Sequence, residues 1–130
     1  MSQINSRQPV NNAATVVERY AAGKRDFSKA ELGNADLQGI NLKGSDFSYA
    51  DLSEANLSGA NLRGTDLSFA DLNQANLRDA DLRGALLMSA NLHQADLKGA
   101  NLEKADYDRN THFPENFDPA KAGMQIKIED

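Results

Sequence analysis

The chain has 130 residues, a net charge of -5, no Cys, no Trp and only 6% aromatic residues. That length has room for one domain but too few large apolar side chains for an ordinary mixed core, so folding requires a regular scheme that packs Leu and Ala without voids. The absence of Cys excludes disulfides and thiolate metal sites, and the acidic balance disfavours nonspecific binding to nucleic acid and to anionic membrane surfaces.

Residues 1–24 are expected to be an N-terminal segment with a capping helix. Met1 to Tyr20 carries Gln, Asn, Arg and Glu where the apolar region of a signal peptide would stand. No stretch approaches the roughly 20 apolar residues that span a bilayer. A cytoplasmic location without membrane association is therefore expected. Asn12 is placed to cap a helix over about residues 13–22, with Val16, Val17 and Tyr20 on one apolar face and Gly23 as the stop.

From Phe27 to Tyr107 a large apolar residue recurs every five positions without a gap, and two positions before each sits a small residue, Ala in most cases. A period of five fits neither the helical 3.6 nor a long strand's two, so the run is a repeat architecture rather than one regular element. Within the unit Ala-(Asp/Asn)-Leu-x-x, Ala and Leu are two apart and point to one side of an extended segment, while Asp or Asn points outward. Each unit is then a short strand followed by a bend, and successive bends close a coil around the Leu and Ala side chains. A lag of 20 residues aligns Gly39 with Gly59 and Gly99, Gly44 with Gly64 and Gly84, and Lys43 with Arg63 and Arg83. Four units per coil account for all three columns. The 25–109 region thus makes just over four coils, a rod about 20 Å tall at the ~4.8 Å spacing of parallel strands. The N-terminal helix is expected to plug the first coil over Phe27 and Leu32, because a solenoid exposes a pairing edge and a slice of core at each end.

Residues 110–130 are expected to form a C-terminal cap and tail. Phe113-Pro114 and Phe117-Asp118-Pro119 suit a folded-over lid, and residues 125–130 either fray or add an extended tail.

The run from Ala30 to Ala105 is similar to the pentapeptide-repeat family. The flanks Tyr20 to Phe27, Tyr107 to Pro119 and Ala122-Gly-Met124 resemble the end segments of small cyanobacterial members. The resemblance implies an all-β solenoid, a right-handed quadrilateral β-helix of parallel coils. It also implies a possible role, because some members imitate duplex DNA in shape and charge and occupy the DNA site of type II topoisomerases.

The lag of 20 also sorts the outward residues onto four faces. One carries Glu31, Asp51, Glu54 and Asp71, a balance of -4, and the opposite one sets Lys43, Arg63, Arg83 and Lys104 against Asp81 and Glu103, a balance of +2. A third face is apolar in part: Tyr49, Phe69, Leu86 and Met88 fall on neighbouring coils. Leu86 interrupts a column that otherwise reads Asp26, Asp46, Asp66 and Asp106. Exposed apolar side chains that cluster across coils mark interaction sites more often than isolated ones, so these four residues are the candidate protein-interaction face; repeat drift, with Tyr49 and Phe69 flat against the corner, is the alternative.

A filled β-helix offers no dry concave site for catalysis. Ser89 and His93 fall on adjacent faces with no third group, and the Asp and Asn columns lack six to eight converging oxygens for Ca²⁺. The expectation is a non-enzymatic interaction module without catalytic, metal or cofactor residues and without a small-molecule substrate or direct nucleic-acid binding. It is expected to be a monomer or a weak homodimer with an unidentified protein partner. Modulation of a type II topoisomerase by DNA mimicry is the alternative, opposed by the short rod and by the basic column that interrupts a continuous negative surface.

Overall fold

The computed structural model describes residues 10–128; residues 1–9 of the expected N-terminal segment and residues 129 and 130 of the expected tail lie outside them. Most five-residue units spend their backbone N–H groups in one way, shown by Ala50 to Glu54. The Ala50 N–H closes the preceding turn on the Phe47 carbonyl (3.0 Å), Asp51 donates back one coil to Ala30 (2.9 Å), and Leu52 and Glu54 donate forward to Asp71 (2.8 Å) and Asn73 (2.9 Å). The fifth, that of Ser53, donates to the Asp51 side chain (2.9 Å). No donor of this unit is left over, which is what burial beside a packed core demands.

The last of these bonds recurs along the chain: Asp46 accepts from the Ser48 N–H, Asn61 from Arg63 and Asp96 from Lys98. The outward Asp or Asn is thus a turn cap, an Asx-turn repeated at every corner but a few. Parallel bridges link Asp26 with Asp46, Asp46 with Asp66, and so on to Asp81 with Asn101 and Leu86 with Asp106, all at a lag of 20. The coils therefore hold four units each.

Inside, the central residues Leu32 to Leu92 are buried, and Phe27 and Phe47 stack with centroids 5.2 Å apart. The alanines of most units are buried with them. In the column that reads Ser45, Thr65, Ala85 and Ala105, the buried Thr65 hydroxyl donates to the Leu62 carbonyl (2.8 Å), whereas the buried Ser45 hydroxyl has no partner.

Helix α1 spans Ala13–Ala21. Its cap is Asn12, whose side chain accepts from the Thr15 N–H (2.8 Å), and the chain leaves it through Gly23 at φ +90°. Val16 is fully buried, and Tyr20 is half-buried with its hydroxyl donating to the Lys43 carbonyl (2.9 Å). Val17 departs from the expectation: it is 46% exposed. The inward stripe is Ala13, Val16 and Tyr20, spaced three and four apart, and Val17 lies one helical step off it. Ahead of the helix, the carbonyl of buried Val10 accepts from the Glu31 N–H (2.7 Å), supplying the rung that a preceding coil would have supplied.

The C-terminal end closes differently. Beyond Leu86 and Asp106 the register slips by a residue, so that Asn91 bridges His112. Phe113 packs edge-on against Tyr107 (5.4 Å) and stacks on Phe117 (5.1 Å), which forms the expected lid. Strand β1, Asp106–Tyr107, then pairs in parallel with strand β2, Gln125–Ile126. Residues 125 and 126 thus take the extended alternative and form the last rung, with Met124 buried behind them.

Candidate functional site

The site is built on the turns. At the last position of each unit the backbone is left-handed: φ is +69° at Gly39 and +72° at Gly44, but also +61° at both Tyr49 and Phe69 and +57° at Ser89. For an L-residue that conformation costs roughly 1–2 kcal/mol, and a bulky side chain there is unusual. Glycine avoids the cost in two of the four columns, whereas this column carries two aromatic rings.

Those rings are neither flat against the corner nor buried. Tyr49 is 58% and Phe69 51% exposed, and they stack face to face with centroids 4.8 Å apart and planes 3° from parallel. The separation is the rise of one coil, so the ladder itself sets the stacking geometry. Leu86 and Met88, from the next coil on the same face, are each half-buried. In that unit an isobutyl group stands where Asp46 and Asp66 accept from the N–H two residues on, so the Asx cap is missing. The four candidate residues therefore share one face, with the two rings as its outermost part.

Below Phe69 lies a feature not foreseen in the sequence, a depression of roughly 350 Å³ lined by Phe69, Ser89, Asp108, Arg109, Asn110, Lys127 and Ile128. It arises from the register slip. Ser89 does not donate its N–H to a carbonyl of the next coil, as Tyr49 and Phe69 do; the Asp108 carboxylate takes that bond (2.9 Å) together with the Ser89 hydroxyl (3.2 Å). Partial burial pushes the Asp108 carboxyl up, but the donors Ser89, Thr111 and Asn110 together outweigh it and hold the group below the usual carboxylate range. Lys127 reaches Asp106 at 3.7 Å. The signal available in the sequence was the small Ser89 at the lag of 20 from Phe69; the approach of Ile128 carried none.

The other faces are more ordinary. Arg83 grips its own unit's Asp81 with two bonds (2.9 and 2.7 Å), which holds the Asp81 carboxyl below its ordinary value and spends one cation of the basic column. Arg78 pairs with Asp96 at 3.2 Å. Among the described residues no three His, Asp or Glu side chains converge as metal ligands would, and no helix is long and apolar enough to cross a membrane. Ser89 and His93 do not meet as partners, since the Ser89 hydroxyl is taken by Asp108.

Coils of four five-residue units, Leu inside and Asx-capped turns outside, define a right-handed quadrilateral β-helix. The family model for pentapeptide repeats matches residues 26–64 and 65–103 in eight copies. The chain belongs to the pentapeptide repeat family. Among solved structures it is similar to alr5209, a pentapeptide repeat protein from Nostoc Pcc 7120, at 73% identity over 93% of this chain and 100% of that one, with a TM-score of 0.92. It is also similar to AT2G44920, a pentapeptide repeat protein from the Arabidopsis thaliana thylakoid lumen, at 31% identity over 85% of this chain and 73% of that one, with a TM-score of 0.65. A comparison with curated proteins gives no significant match.

Proposed function

We propose that this protein is a non-enzymatic interaction module that docks a protein partner on the face formed by Tyr49, Phe69, Leu86 and Met88. The observation that carries the reading is the exposed Tyr49–Phe69 stack, held at left-handed backbone positions where Gly or Asn would cost less. Strained or costly positions cluster at functional sites, and clustered exposed apolar side chains mark contact surfaces. The half-buried Leu86 and Met88 extend the apolar area along the rod.

The test is a capture experiment from the source cell with the wild-type protein and a Phe69→Ser, Leu86→Asp, Met88→Ser variant. None of these substitutions touches an inward position, and surface changes usually stay within about 0.5 kcal/mol each. Docking predicts that the variant melts like the wild type but loses the captured partner, or loses a dimer seen by light scattering at high concentration. A folded variant that keeps every interaction removes this reading. The same two samples in a DNA-gyrase supercoiling assay test duplex mimicry, which the acidic face of Glu31, Asp51, Glu54 and Asp71 supports and the column of Lys43 and Arg63 opposes.

A further inference from the structure

Two opposite faces of the rod carry charge columns of opposite sign on the same repeat. Glu31, Asp51 and Asp71 hold the position before the central Leu in three successive coils, and Lys43, Arg63 and Arg83 hold the position after it on the face opposite. Glu31, Asp51 and the three cations are exposed, and Asp71 is half-buried. The parallel bridges from Glu31 to Asp51 and from Asp51 to Asp71 fix the carboxylates one coil apart. The bonds from the Gly44 N–H to the Arg63 carbonyl and from Gly64 to Arg83 do the same for the cations. Asp51 and Asp71 cap their turns through Oδ1. Of the cations, Arg83 is paired within the chain, with Asp81 at 2.7 Å, whereas Lys43 and Arg63 make no ion pair among the described residues.

The two columns flank one face: Arg63 stands just before the unit 65–69 and Asp71 just after it, and Lys43 and Asp51 stand likewise about the unit 45–49. Moving one rod sideways without rotating it therefore sets the cation column of one copy against the carboxylate column of the next. Both columns repeat at the ~4.8 Å rise of a coil, so a slide of less than one coil along the axis brings all three pairs together. The rest of the two faces is mostly small and polar over these coils, with Gly33, Ser53 and Asn73 on one and Asn41 and Asn61 on the other, and lets the rods approach. At the corners Lys29 adjoins the carboxylates, and Asp46 and Asp66 adjoin the cations. These dilute each column within its own rod but are again opposite in sign across the contact. Glu54 lies on the far corner, and the fourth coil, with Asn91 and His93 against Glu103 and Lys104, extends neither column. The net charge of -5 repels whole copies at long range, but about 0.1 M salt screens this over about 10 Å and leaves ions in contact much less affected.

We propose that the cation column of Lys43, Arg63 and Arg83 docks a second copy of this chain, side by side, through that copy's Glu31, Asp51 and Asp71. Such a contact is heterologous: each rod keeps one unused column, so association continues in a row and does not close at a dimer. The proposal stands on the charged faces and goes beyond the docking reading, which uses the apolar one. Sedimentation velocity of the full chain at millimolar concentration should show reversible association at about 0.1 M salt that is lost at about 1 M, where screening reaches contact distance. Lys43→Gln with Arg63→Gln removes the two cations that have no ion pair. Glu31→Gln with Asp51→Asn and Asp71→Asn removes the carboxylates and keeps the turn caps, which Asn supplies at Asn61. All five changes are outward, and melting curves check that both variants fold. Each variant alone should associate at least about tenfold more weakly, since two or three exposed ion pairs are lost. Net charge alone predicts the reverse for the carboxylate variant, which is nearer neutrality. An equal mixture should recover pairs that do not grow, because one variant keeps the carboxylates and the other the cations. A wild type that stays monomeric, association that is equal at both salts, a folded variant that associates as the wild type does, or a mixture that recovers nothing overturns the proposal. The Phe69→Ser, Leu86→Asp, Met88→Ser variant keeps both columns and should still form the row. If it does so while losing a cellular partner, both readings stand; if it loses the row, the contact belongs to the apolar face and the charged seam fails.

Discussion

The interior and one outer corner of the same coils follow the repeat to different degrees. Inside, every central position from Leu32 to Leu92 holds a buried apolar side chain, because the column above and below leaves one volume to fill. At the corner, the last position of the unit has one backbone requirement, a left-handed φ, and Gly39, Asn34, Glu54, Gln74 and Phe69 all meet it. The interior is specified by packing, and the corner by a conformation that many residues tolerate at some cost. Tyr49 and Phe69 meet that requirement with two exposed, stacked rings that the packing of the interior does not call for, and the docking proposal is built on this difference.

The strongest way to break the interior is Leu72→Asp. Leu72 is fully buried, and an unpaired carboxylate there costs several kcal/mol against a total stability of roughly 5–15 kcal/mol. The variant should be unfolded at room temperature by circular dichroism; a melting curve close to the wild type would mean that packing does not specify this position. Removing residues 1–24 attacks the end of the interior instead. It uncovers Phe27, deletes Val16 from the core and deprives the Glu31 N–H of the Val10 carbonyl. Light scattering should show aggregates or end-to-end oligomers, whereas a monodisperse, equally stable product would make the segment an appendage. A smaller effect sharpens the contrast. Ser45 buries a hydroxyl with no partner in a column where Ala85 and Ala105 fit, so Ser45→Ala should stabilise by about 1 kcal/mol and raise the melting temperature by a few degrees.

The same division explains what was legible in the sequence. The inward Leu series and the period of 20 follow from columns that stack on themselves, and the Gly and basic columns were enough to count four units per coil. Asn12 and Gly23 marked the helix because caps are local chemistry. The role of the Asp and Asn column as turn caps was hidden, since pointing outward and accepting from the N–H two residues on are compatible with one pattern. Val17 was misplaced because two adjacent valines on a short helix leave its inward stripe ambiguous. The shared face of Tyr49, Phe69, Leu86 and Met88 was readable from the lag, but the parallel stacking of the rings was not. The depression beside Ser89 depends on the register slips at His112 and Gln125, which are decided by how the chain folds back and not by any period.

The claim that the two rings serve something other than the fold is tested most directly by the thermal melting of a Tyr49→Asn, Phe69→Asn double variant. Asn occupies the equivalent turn position at Asn34 with φ +63°. Relief of the left-handed strain and loss of the ring stack are each of order 1 kcal/mol and of opposite sign. A melting temperature within a few degrees of the wild type is the predicted result. A fall of more than about 10 °C, well beyond what 1 kcal/mol produces in a chain of this size, would show that the stacked rings hold the coils together and would contradict the account.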